Sequence, residues 1–430
     1  MMTLAIFSVL LLLILGGLPV AFSMGLTAAL FFILLGEIDV LIMVPQRMYS
    51  STTGFTLLAI PFFILTGNLM NTGGMTQRIF LFCQRLVGSI RGGLGHVNVV
   101  QSMIFAGMSG SAIADAGGVG MVAMEAMVRA GFGKTFSAAV TAASSTIGPV
   151  IPPSIPLVIY GSLTGVSVGR LFLGGFIPGL LMGVGMMITV YIISVKRGYP
   201  REKKATFKEL MASALGAWTA YLAPVIIIGG ILSGIFTPTE ASVVAALYAA
   251  VVSCLVYREI SPQHLVQVIV STLEQTVQVL FIISTAGLFG WLLIQQRVPD
   301  AVITYLMSLS ENPTVILLII NAILLVLGCF MEAISVMLLT IPIFMPLTQA
   351  FHIDPVHFGV VMTFNLMIAL LSPPVGMVLY TVASVGRVDL WKLALELKWY
   401  IVSLLAGLLL ITLVPALVTW VPNLIMGPIQ

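Results

Sequence analysis

The sequence predicts an all-α polytopic membrane protein built from two inverted-topology repeats. Of its 430 residues, 59% are hydrophobic and only 8% are charged, and the mean hydropathy is +1.15. Soluble domains carry about 25% charged residues. Apolar runs of about 17 to 25 residues, long enough to cross a hydrocarbon core of ~30 Å, recur from one end to the other. We therefore expect about a dozen membrane segments.

The first apolar stretch, residues 1–36, is too long for a cleaved signal peptide and lacks a basic start, so we expect it to stay in the protein. The sequence Gly-Gly-Leu-Pro at 16–19 predicts a break between two helices in this stretch. Three cysteines, Cys83, Cys254 and Cys329, lie singly in apolar runs without metal or redox spacing. We expect them to be buried free thiols.

Basic residues concentrate in one polar stretch near the middle of the chain. The positive-inside rule places such a stretch in the cytoplasm, so the loop at 196–209 is predicted to be cytoplasmic. Neither terminus carries basic residues, and both are predicted to be periplasmic. Each half then crosses the membrane an odd number of times, which predicts that the halves are inverted. A net charge of +3 is too small to indicate a nucleic-acid partner.

An internal repeat supports this prediction. Five landmarks recur in the same order in both halves, at offsets of about 217 to 223 residues, as a duplication predicts. The landmark pairs begin at Pro19 and Pro238, Gly67 and Gly290, Gly107 and Gly328, Ile151 and Ser372, and Val168 and Val385. We therefore divide the chain into a first repeat at 1–195, a basic linker at 196–212 and a second repeat at 213–430.

The first candidate site is a small-residue segment that contains Ser109, Ser111 and several glycines between apolar flanks. Such a segment predicts a re-entrant helical hairpin around 106–130. Its carbonyls, hydroxyls and helix N-termini suit a dehydrated Na⁺ and a carboxylate together. The corresponding hairpin of the second half is expected around 328–347.

The second candidate site is a proline-rich segment that predicts an interrupted helix around 144–160. Four prolines within eight residues forbid a continuous helix. Carbonyls freed by the break, together with the hydroxyls of Ser144, Ser145 and Thr146, are ligands for a hard cation. A second interrupted helix is expected around 365–380.

The alternative is that these prolines and glycines only kink helices for packing. Two such motifs at corresponding positions of both halves favour a transporter site instead. The sequence has no Gly-rich loop ending in Gly-Lys-Ser or Gly-Lys-Thr and no sizeable soluble domain. We therefore expect transport driven by an ion gradient, with no enzymatic activity and no organic cofactor.

Two acidic residues, Asp115 and Glu332, lie within a few residues of the predicted hairpin tips, where an unpaired carboxylate is costly. They could bind Na⁺, carry a proton, or pair with each other or with a backbone donor. Glu240 is instead interpreted as closing a capping box at a helix start. Glu274, three residues after Ser271, is interpreted in the same way.

Four histidines have no ligand spacing and flank polar turns, so we expect them at surface or interfacial positions, with no transition-metal site. They are His96, His264, His352 and His357. Arg170 and Arg387 are duplicated between the halves, and anchoring at interfacial helix ends is favoured over attraction of an anion.

Four motifs resemble the DctM-type large subunit of tripartite ATP-independent periplasmic (TRAP) transporters. They are FAGMSGSAIADAG at 105–117, SSTIGPVIPPSIPLVIYG at 144–161, FTPTEA at 236–241 and LSPPVG at 371–376. The resemblance covers essentially the whole chain, and the second motif alone is highly specific. It implies an ion-transporter-like fold and an elevator mechanism, in which two hairpins and two interrupted helices slide against a scaffold.

The resemblance also implies a Na⁺-coupled importer in the bacterial inner membrane. A periplasmic substrate-binding protein of DctP type would deliver the substrate, and a small four-helix membrane subunit of DctQ type would enlarge the scaffold. By motif match, the first Na⁺ site would use Ser109, Ser111, Gly148, Ile151 and Pro153, several of them through backbone oxygen. The second would use Met331, Glu332, Ser335, Leu370 and Ser372. Candidates for substrate contact are Gly110, Asp115, Ser145, Ser154, Pro373 and Pro374.

The chain departs from the family pattern at two places. The family often has Gly and Thr ahead of the second Pro-Pro pair, where this chain has Ala369 and Ser372, and the extra methyl group is expected to narrow the second site. The family often has Asp where Glu332 stands, and the Glu carboxylate reaches one methylene further.

A stand-alone Na⁺/dicarboxylate symporter of the divalent-anion type, working without a binding protein, is the alternative function. A membrane subunit of a redox or proton-pumping complex would need haem-ligating histidines or a chain of buried carboxylates and lysines, and the scattered histidines supply neither. No residue fixes the substrate beyond a small organic acid, such as a C4-dicarboxylate or a sugar acid.

Overall fold

The computed structural model describes residues 2–428, which form helices and connecting turns without a strand. The helices are α1 (Met2–Leu15), α2 (Val20–Leu34), α3 (Val44–Ser50), α4 (Ala59–Thr72), α5 (Met75–Val87), α6 (Gly93–Ser109), α7 (Ala112–Gly117), α8 (Val119–Arg129), α9 (Lys134–Ser145), α10 (Ile155–Thr164), α11 (Val168–Arg197), α12 (Phe207–Leu232), α13 (Pro238–Val251), α14 (Pro262–Gln295), α15 (Val298–Leu309), α16 (Pro313–Phe330), α17 (Ala333–Ala350), α18 (Pro355–Ala369), α19 (Met377–Val385), α20 (Leu390–Leu413) and α21 (Ala416–Met426). Turns of 3₁₀-helix at Ile38–Met43 and Phe55–Leu58 and a π-helical segment at Val252–Val256 complete the helical structure.

Eight helical segments in the described chain are long and apolar enough to cross a membrane. They are Phe55–Thr72, Val168–Arg197, Phe207–Leu232, Pro238–Val256, Pro262–Gln295, Pro313–Phe330, Ala333–Ala350 and Leu390–Leu413. Six further apolar helices are shorter, with 10–17 residues. The predicted all-α membrane fold is therefore confirmed, whereas the inverted relation of the halves stays a prediction.

Local sequence explains where many of these helices begin. Four start with a capping residue followed by proline, at Thr237–Pro238, Ser261–Pro262, Asn312–Pro313 and Asp354–Pro355. The capping oxygen accepts from an amide that the helix leaves free, and proline lacks the N–H that would be unpaired at the first helical position. The predicted break at 16–19 is also present, since α1 ends at Leu15 and α2 begins at Val20.

The protein core centres on the two helices that precede the predicted breaks. Every residue of α9 from Phe136 to Ser145 and every residue of α18 from Val356 to Ala369 is buried. The helix α9 packs against α6, α8 and α20, and α18 packs against α16, α17 and α11. Each buried helix thus packs against the hairpin of its own half and against a helix of the other half, and both predicted sites lie at the ends of these buried helices.

The boundaries of several predicted segments differ from those observed. The first hairpin starts at Gly93, where α6 begins, and the second at Pro313, both earlier than the expected 106–130 and 328–347. The basic linker outside the helices is only 198–206, because α11 continues to Arg197 and α12 begins at Phe207. The first arms of the two hairpins, α6 and α16, are longer than predicted because apolar residues extend each helix well before its polar turn.

The capping interpretation is right for Glu240 and wrong for Glu274. Glu240 forms a capping box with Thr237, whose backbone N–H donates to Glu240 Oε2 at 2.8 Å. Glu274 lies inside α14, which begins at Pro262, and the Ser271 hydroxyl instead accepts from the Gln275 amide at 3.2 Å. Residues three apart lie on one face anywhere along a helix, so the spacing alone does not mark a helix start.

Two of the four histidines contradict the expected surface placement. His96 and His357 are buried, whereas His264 and His352 are exposed. The imidazole Nε2 of His357 lies 2.8 Å from the carbonyl oxygen of Ile411, and that of His96 lies 3.1 Å from the carbonyl oxygen of Arg91. Each buried ring therefore has one backbone partner, which offsets part of the cost of burying the imidazole.

Of the three free cysteines, only Cys83 is buried, so the expected burial of Cys254 and Cys329 is wrong. Both lie on partly exposed faces of membrane-spanning segments, where a small apolar side chain tolerates lipid as well as protein. Arg170 and Arg387 lie at helix ends, as expected. The Arg170 guanidinium donates to the carbonyl oxygen of Gly427 at 2.8 Å and so joins the start of α11 to the end of α21.

Candidate functional site

The first hairpin turn joins α6 to α7 and holds two of the predicted Na⁺ ligands. Ser109 is the last residue of α6, and Ser111 caps α7, its hydroxyl accepting from the Ala114 backbone N–H at 3.4 Å. Between them Gly110 has φ +60°, a left-handed conformation that glycine adopts at no steric cost. The turn therefore brings both serine hydroxyls to the tip of the hairpin.

Asp115 lies within hydrogen-bonding reach of this turn and is almost completely buried, with 2% of its surface exposed. The Ser109 hydroxyl donates to Asp115 Oδ1. Asp115 Oδ2 has no hydrogen-bond partner in the described part of the chain. A methyl group placed on Gly148 would overlap this oxygen, so Oδ2 faces the proline-rich segment. A buried carboxylate oxygen without a donor is costly, and a cation at this position would offset that cost.

The proline-rich segment at 146–154 interrupts the path from α9 to α10, as predicted, and lies against the hairpin turn. A Cβ atom placed on Gly110 would be 3.0 Å from the carbonyl oxygen of Pro153 and 3.1 Å from the backbone nitrogen of Ile155. Ser154 caps α10, and its hydroxyl donates to a carbonyl of the same segment. Hydroxyl, carbonyl and carboxylate oxygens from two separate elements therefore meet here.

Two further predicted residues of this half have other partners for their side chains. The side chain of Ile151 packs against Gly179 of α11, where an added Cβ atom would lie 3.1 Å from Ile151 Cδ1. The side chain is aliphatic, so only the backbone oxygen of Ile151 can bind an ion. Ser145 is buried within α9, and its hydroxyl donates to the carbonyl oxygen of Ala142 at 2.9 Å.

The second hairpin turn, at 331–332, joins α16 to α17. Glu332 caps α17, and its Oε2 accepts from the backbone N–H of Ser335 at 3.2 Å. Among the roles considered for Glu332 from the sequence, pairing with a backbone donor is therefore the one observed. Met331 and Ser335 are buried beside it. A carboxylate at a helix N-terminus is stabilised by the free amides and by the helix dipole.

The break in the second interrupted helix lies against the second hairpin turn, as the proline-rich segment lies against the first. The loop at 370–376 lies between α18 and α19, and the Val375 N–H donates to the carbonyl oxygen of Cys329 at 3.0 Å. Leu370 is buried and Ser372 is half-buried. The predicted ligands of the second half are thus placed on two adjacent segments.

The methyl group of Ala369 points at the hairpin arm and not into the loop. A Cβ atom placed on Gly328 of α16 would overlap the Ala369 Cβ. Glycine at position 328 therefore provides the space that the methyl group fills. Alanine at position 369, where the family often has glycine, therefore takes up space beside Gly328 of α16. The expected narrowing of the second site by this methyl group is not seen in the contact.

The two halves differ in how far their breaks are exposed. The Pro152–Pro153 pair is buried, whereas Pro373 and Pro374 are exposed, and both Pro-Pro peptide bonds are cis. Tyr160 is completely buried, whereas 48% of Tyr380 is exposed. Among the candidates for substrate contact, those of the second half are therefore accessible, and those of the first half are covered by the protein.

Two buried amide networks that join each hairpin to its interrupted helix were not recognised from the sequence. In the first half, Asn98 Nδ2 donates to Thr141 Oγ1 at 2.7 Å, and the Ser144 hydroxyl donates to Asn98 Oδ1 at 3.2 Å. In the second half, Asn365 Nδ2 donates to Asn321 Oδ1 at 2.9 Å. Asn98 and Asn321, like Ser144 and Asn365, are separated by the repeat offset, so an alignment of the two halves was the available signal.

A small cleft of about 20 Å³ on the far side of the first hairpin turn was also missed. It is lined by Ser109 and Ser111, by Asn68 and Asn71 of α4, and by Gln275 of α14. These amides form no motif, because three helices distant in sequence supply the lining. The hairpin turn therefore has oxygen ligands on one side and amide groups on the other.

Two hairpin turns, each packed against an interrupted helix within a bundle of apolar spans, define a polytopic membrane transporter. The crystal structure of the Alcanivorax borkumensis YdaH transporter is similar, with a TM-score of 0.63 over 88% of both chains and 13% sequence identity. At that identity the likeness concerns the fold alone.

The chain belongs to the family described as tripartite ATP-independent periplasmic transporter, DctM component, whose model matches residues 7–417. It is 43% identical over 415 residues to the sialic acid TRAP transporter large permease protein SiaM of Vibrio cholerae, covering 96% of this chain and 97% of that protein. It is 39% identical over 402 residues to the C4-dicarboxylate TRAP transporter large permease protein DctM of Pseudomonas aeruginosa, covering 93% and 94%.

Membership of this family confirms the resemblance recognised from the four motifs. The chain is the large membrane permease of a tripartite system, which works with a small membrane subunit and a periplasmic substrate-binding protein. The family therefore supports the tripartite interpretation over the stand-alone symporter.

Proposed function

We propose that this permease imports a small organic acid across the bacterial inner membrane in symport with Na⁺. The observation that carries the proposal is the buried Asp115 Oδ2, which has no hydrogen-bond donor among residues 2–428 and faces Gly148. Na⁺ is a hard cation that takes oxygen ligands, and it would neutralise the carboxylate in the protein interior. Hydroxyl and carbonyl oxygens of the hairpin turn and of the proline-rich segment complete the donor set.

The proposal assigns one Na⁺ to each half. The first ion is held by Ser109, Ser111, Gly148, Ile151 and Pro153, with Asp115 supplying negative charge beside them. The second is held by Met331, Glu332, Ser335, Leu370 and Ser372. Both sets combine a hairpin turn with the break of a buried helix, so ion binding would fix the hairpin against that helix.

An elevator motion is part of the same proposal. The two hairpins and the two interrupted helices would move together against the remaining helices and carry ions and substrate between the two faces of the membrane. The amide networks of Asn98 and Asn365 support this grouping, because each one ties a hairpin arm to its interrupted helix. Binding energy from Na⁺ would be needed to close the site before the domain moves.

The substrate is proposed to be a small organic acid, taken from the binding protein and held between the two ion sites. The relatives are named for sialic acid and for C4-dicarboxylates, which share a carboxylate. Contacts are proposed for Gly110, Asp115, Ser145, Ser154, Pro373 and Pro374, with Na⁺ offsetting the charge of Asp115. The amides of Asn68, Asn71 and Gln275 lie on the other side of the hairpin turn and would contact the acid before it reaches these residues.

The proposed orientation follows the distribution of charge. The linker at 198–206 carries Arg201, Lys203 and Lys204 and would be cytoplasmic, with both termini in the periplasm.

Uptake into proteoliposomes that contain both membrane subunits, with the binding protein outside, tests the proposal. A radiolabelled panel of C4-dicarboxylates and sugar acids identifies the substrate, and Na⁺ is then replaced by K⁺. We expect uptake to require Na⁺ and the binding protein. The variant Asp115→Asn should raise the Na⁺ concentration for half-maximal uptake about tenfold or more, since hydrogen bonds and contacts to charged groups contribute ~1.5–3 kcal/mol.

The exposed Asp300 of α15 provides the matched control, because Asp300→Asn removes the same charge outside the proposed site. This variant should keep the Na⁺ dependence of the unmodified protein. Uptake that continues at the same rate in K⁺ would rule out Na⁺ coupling. Uptake without the binding protein would favour the stand-alone symporter.

A further inference from the structure

A cleft of about 400 Å³ lies where the end of α11 meets the start of α20, and none of its lining residues belongs to the proposed ion sites. Three of these residues are basic, one is acidic and two are large and apolar. They are Arg197, Lys392, Lys398, Glu396, Leu395 and Trp399, and Thr135 of α9 completes the lining. The cleft thus combines positive charge with exposed apolar surface.

The charges of the cleft do not cancel. Arg197 and Glu396 form a two-contact ion pair, with nitrogen–oxygen distances of 2.7 and 3.0 Å, and so neutralise each other. Lys392 and Lys398 are exposed and form no ion pair with any residue in the range 2–428. Two uncompensated positive charges therefore face the opening, which favours an anionic ligand.

The cleft lies at the depth where both helices change from charged to apolar sequence. The helix α11 carries no charged residue between Arg170 and Lys196 and ends with Lys196 and Arg197, whereas α20 has no charged residue after Lys398. Trp399 follows directly and is 56% exposed. Tryptophan and basic residues at the ends of apolar spans are typical of the headgroup region of a bilayer.

An exposed apolar strip leads from the cleft along both helices. On α20, Leu395, Trp399 and Val402 are spaced four and three residues apart and so lie on one helix face, and all three are more than half exposed. On α11, which packs against α20, Ile192 and Val195 are exposed as well. This strip matches an acyl chain, whereas a free phosphate would use only the lysines.

We propose that the cleft between α11 and α20 binds an anionic phospholipid, whose phosphate is held by Lys392 and Lys398 and whose acyl chain follows the apolar strip. Basic pockets between membrane helices bind acidic headgroups in this way, with a contribution from each basic residue near the surface. The Arg197–Glu396 pair fixes the two helix ends and leaves the lysines free for the lipid. Such a lipid would bridge α11 of the first half and α20 of the second.

Native mass spectrometry of the purified permease in detergent, with phosphatidylglycerol or phosphatidylcholine added, tests the proposal. We expect the protein to retain phosphatidylglycerol in preference to phosphatidylcholine. The double variant Lys392→Gln/Lys398→Gln should lose about tenfold or more of its phosphatidylglycerol affinity. The matched control is Lys203→Gln/Lys204→Gln, which removes the same charge from the linker and should bind as the unmodified protein does.

A second measurement locates the acyl chain without relying on the lysine variants. Phosphatidylglycerol with brominated chains should quench the fluorescence of Trp399, so the quenching should fall when Trp399→Phe is introduced. Equal affinity in the lysine variant and its control would overturn the proposal, as would quenching that Trp399→Phe leaves unchanged. Displacement of the lipid by inorganic phosphate at ~1 mM would show that the cleft recognises free phosphate instead. Both readouts are independent of transport and thus of Na⁺ coupling.

Discussion

The contact between Gly148 and Asp115 gives a single glycine a defined role. A methyl group at position 148 would overlap Asp115 Oδ2, the buried carboxylate oxygen for which the described residues supply no donor. The φ angle of Gly148 is outside the left-handed region, so alanine can adopt this backbone conformation, and its Cβ atom would lie 3.3 Å from the carbonyl oxygen of Ser145. The methyl group would therefore act mainly by displacing the carboxylate from the ion ligands, since Asp115 Oδ2 is the nearest atom to it.

Gly148→Ala should raise the Na⁺ concentration for half-maximal uptake about tenfold, because a displaced charged ligand loses ~1.5 kcal/mol or more. The measurement is the Na⁺ dependence of uptake in proteoliposomes. Gly216→Ala is the control, since nothing lies within 4 Å of a Cβ atom at that position of α12. Equal Na⁺ dependence in the two variants would show that Asp115 does not face an ion.

Residues differ in how far local sequence determines their surroundings. The capping box at Thr237 and the left-handed Gly110 follow from neighbours a few residues away, and the motifs that contain them were recognised. The burial of His357 depends on the carbonyl of Ile411, more than fifty residues further along the chain, and no local pattern encodes that partner. Glu274 was misplaced because its spacing from Ser271 occurs equally inside a helix.

At the scale of helices, the amide network of the first half should couple α6 to α9. In a double-mutant cycle of Asn98→Leu and Thr141→Val, we expect a coupling of about 0.6 kcal/mol and at most ~1.7 kcal/mol, the average and the maximum found for hydrogen bonds between membrane helices. Thermal unfolding in detergent provides the measurement.

The cycle of Asn98→Leu with Thr412→Val serves as the control for that coupling. Thr412 belongs to the network of the second half, where its hydroxyl accepts from Asn321 Nδ2 at 3.0 Å. Sites without shared partners have additive effects on the free energy of unfolding. If the two cycles gave the same coupling, the hydrogen bond between Asn98 and Thr141 would contribute nothing specific.

The start of α13 provides an acid that should be dispensable for ion binding. Thr237→Ala removes the capping oxygen and should lower the free energy of unfolding by about 1 kcal/mol. Glu240→Gln keeps the capping box, since Gln also fits that motif, and should leave stability and Na⁺ dependence unchanged. A loss of Na⁺-dependent uptake in Glu240→Gln would contradict its assignment as a helix cap.

Helical elements were easier to predict than their ends. The breaks at 146–154 and 370–376 were located by their prolines, because a residue without an N–H disrupts a helix in any surroundings. The hairpin arms were predicted too short, since polar residues mark the turn but not the far end of an apolar arm. The amides of Asn68 and Gln275 line the site through packing of α4 and α14, which sequence order does not reveal.

At the scale of the whole molecule, the distribution of charge predicts the orientation in the membrane. In a variant whose three native cysteines are replaced, Lys203→Cys places one thiol in the linker. We expect a membrane-impermeant maleimide to label it in inside-out vesicles and not in intact cells, because basic loops stay in the cytoplasm. Labelling of permeabilised cells serves as the control, because it shows that the thiol reacts once the maleimide can reach it. Labelling of intact cells would place the linker in the periplasm.

The helix starts at Ser261–Pro262, Asn312–Pro313 and Asp354–Pro355 bear on how the chain is synthesised. Each start is specified by two adjacent residues, with the capping side chain accepting from an amide that the helix itself leaves unpaired. A segment with such a start can become helical as soon as it leaves the ribosome, before its distant packing partners have been translated. The local sequence at these helix starts in the second half of the permease thus favours insertion into the bilayer one helix at a time.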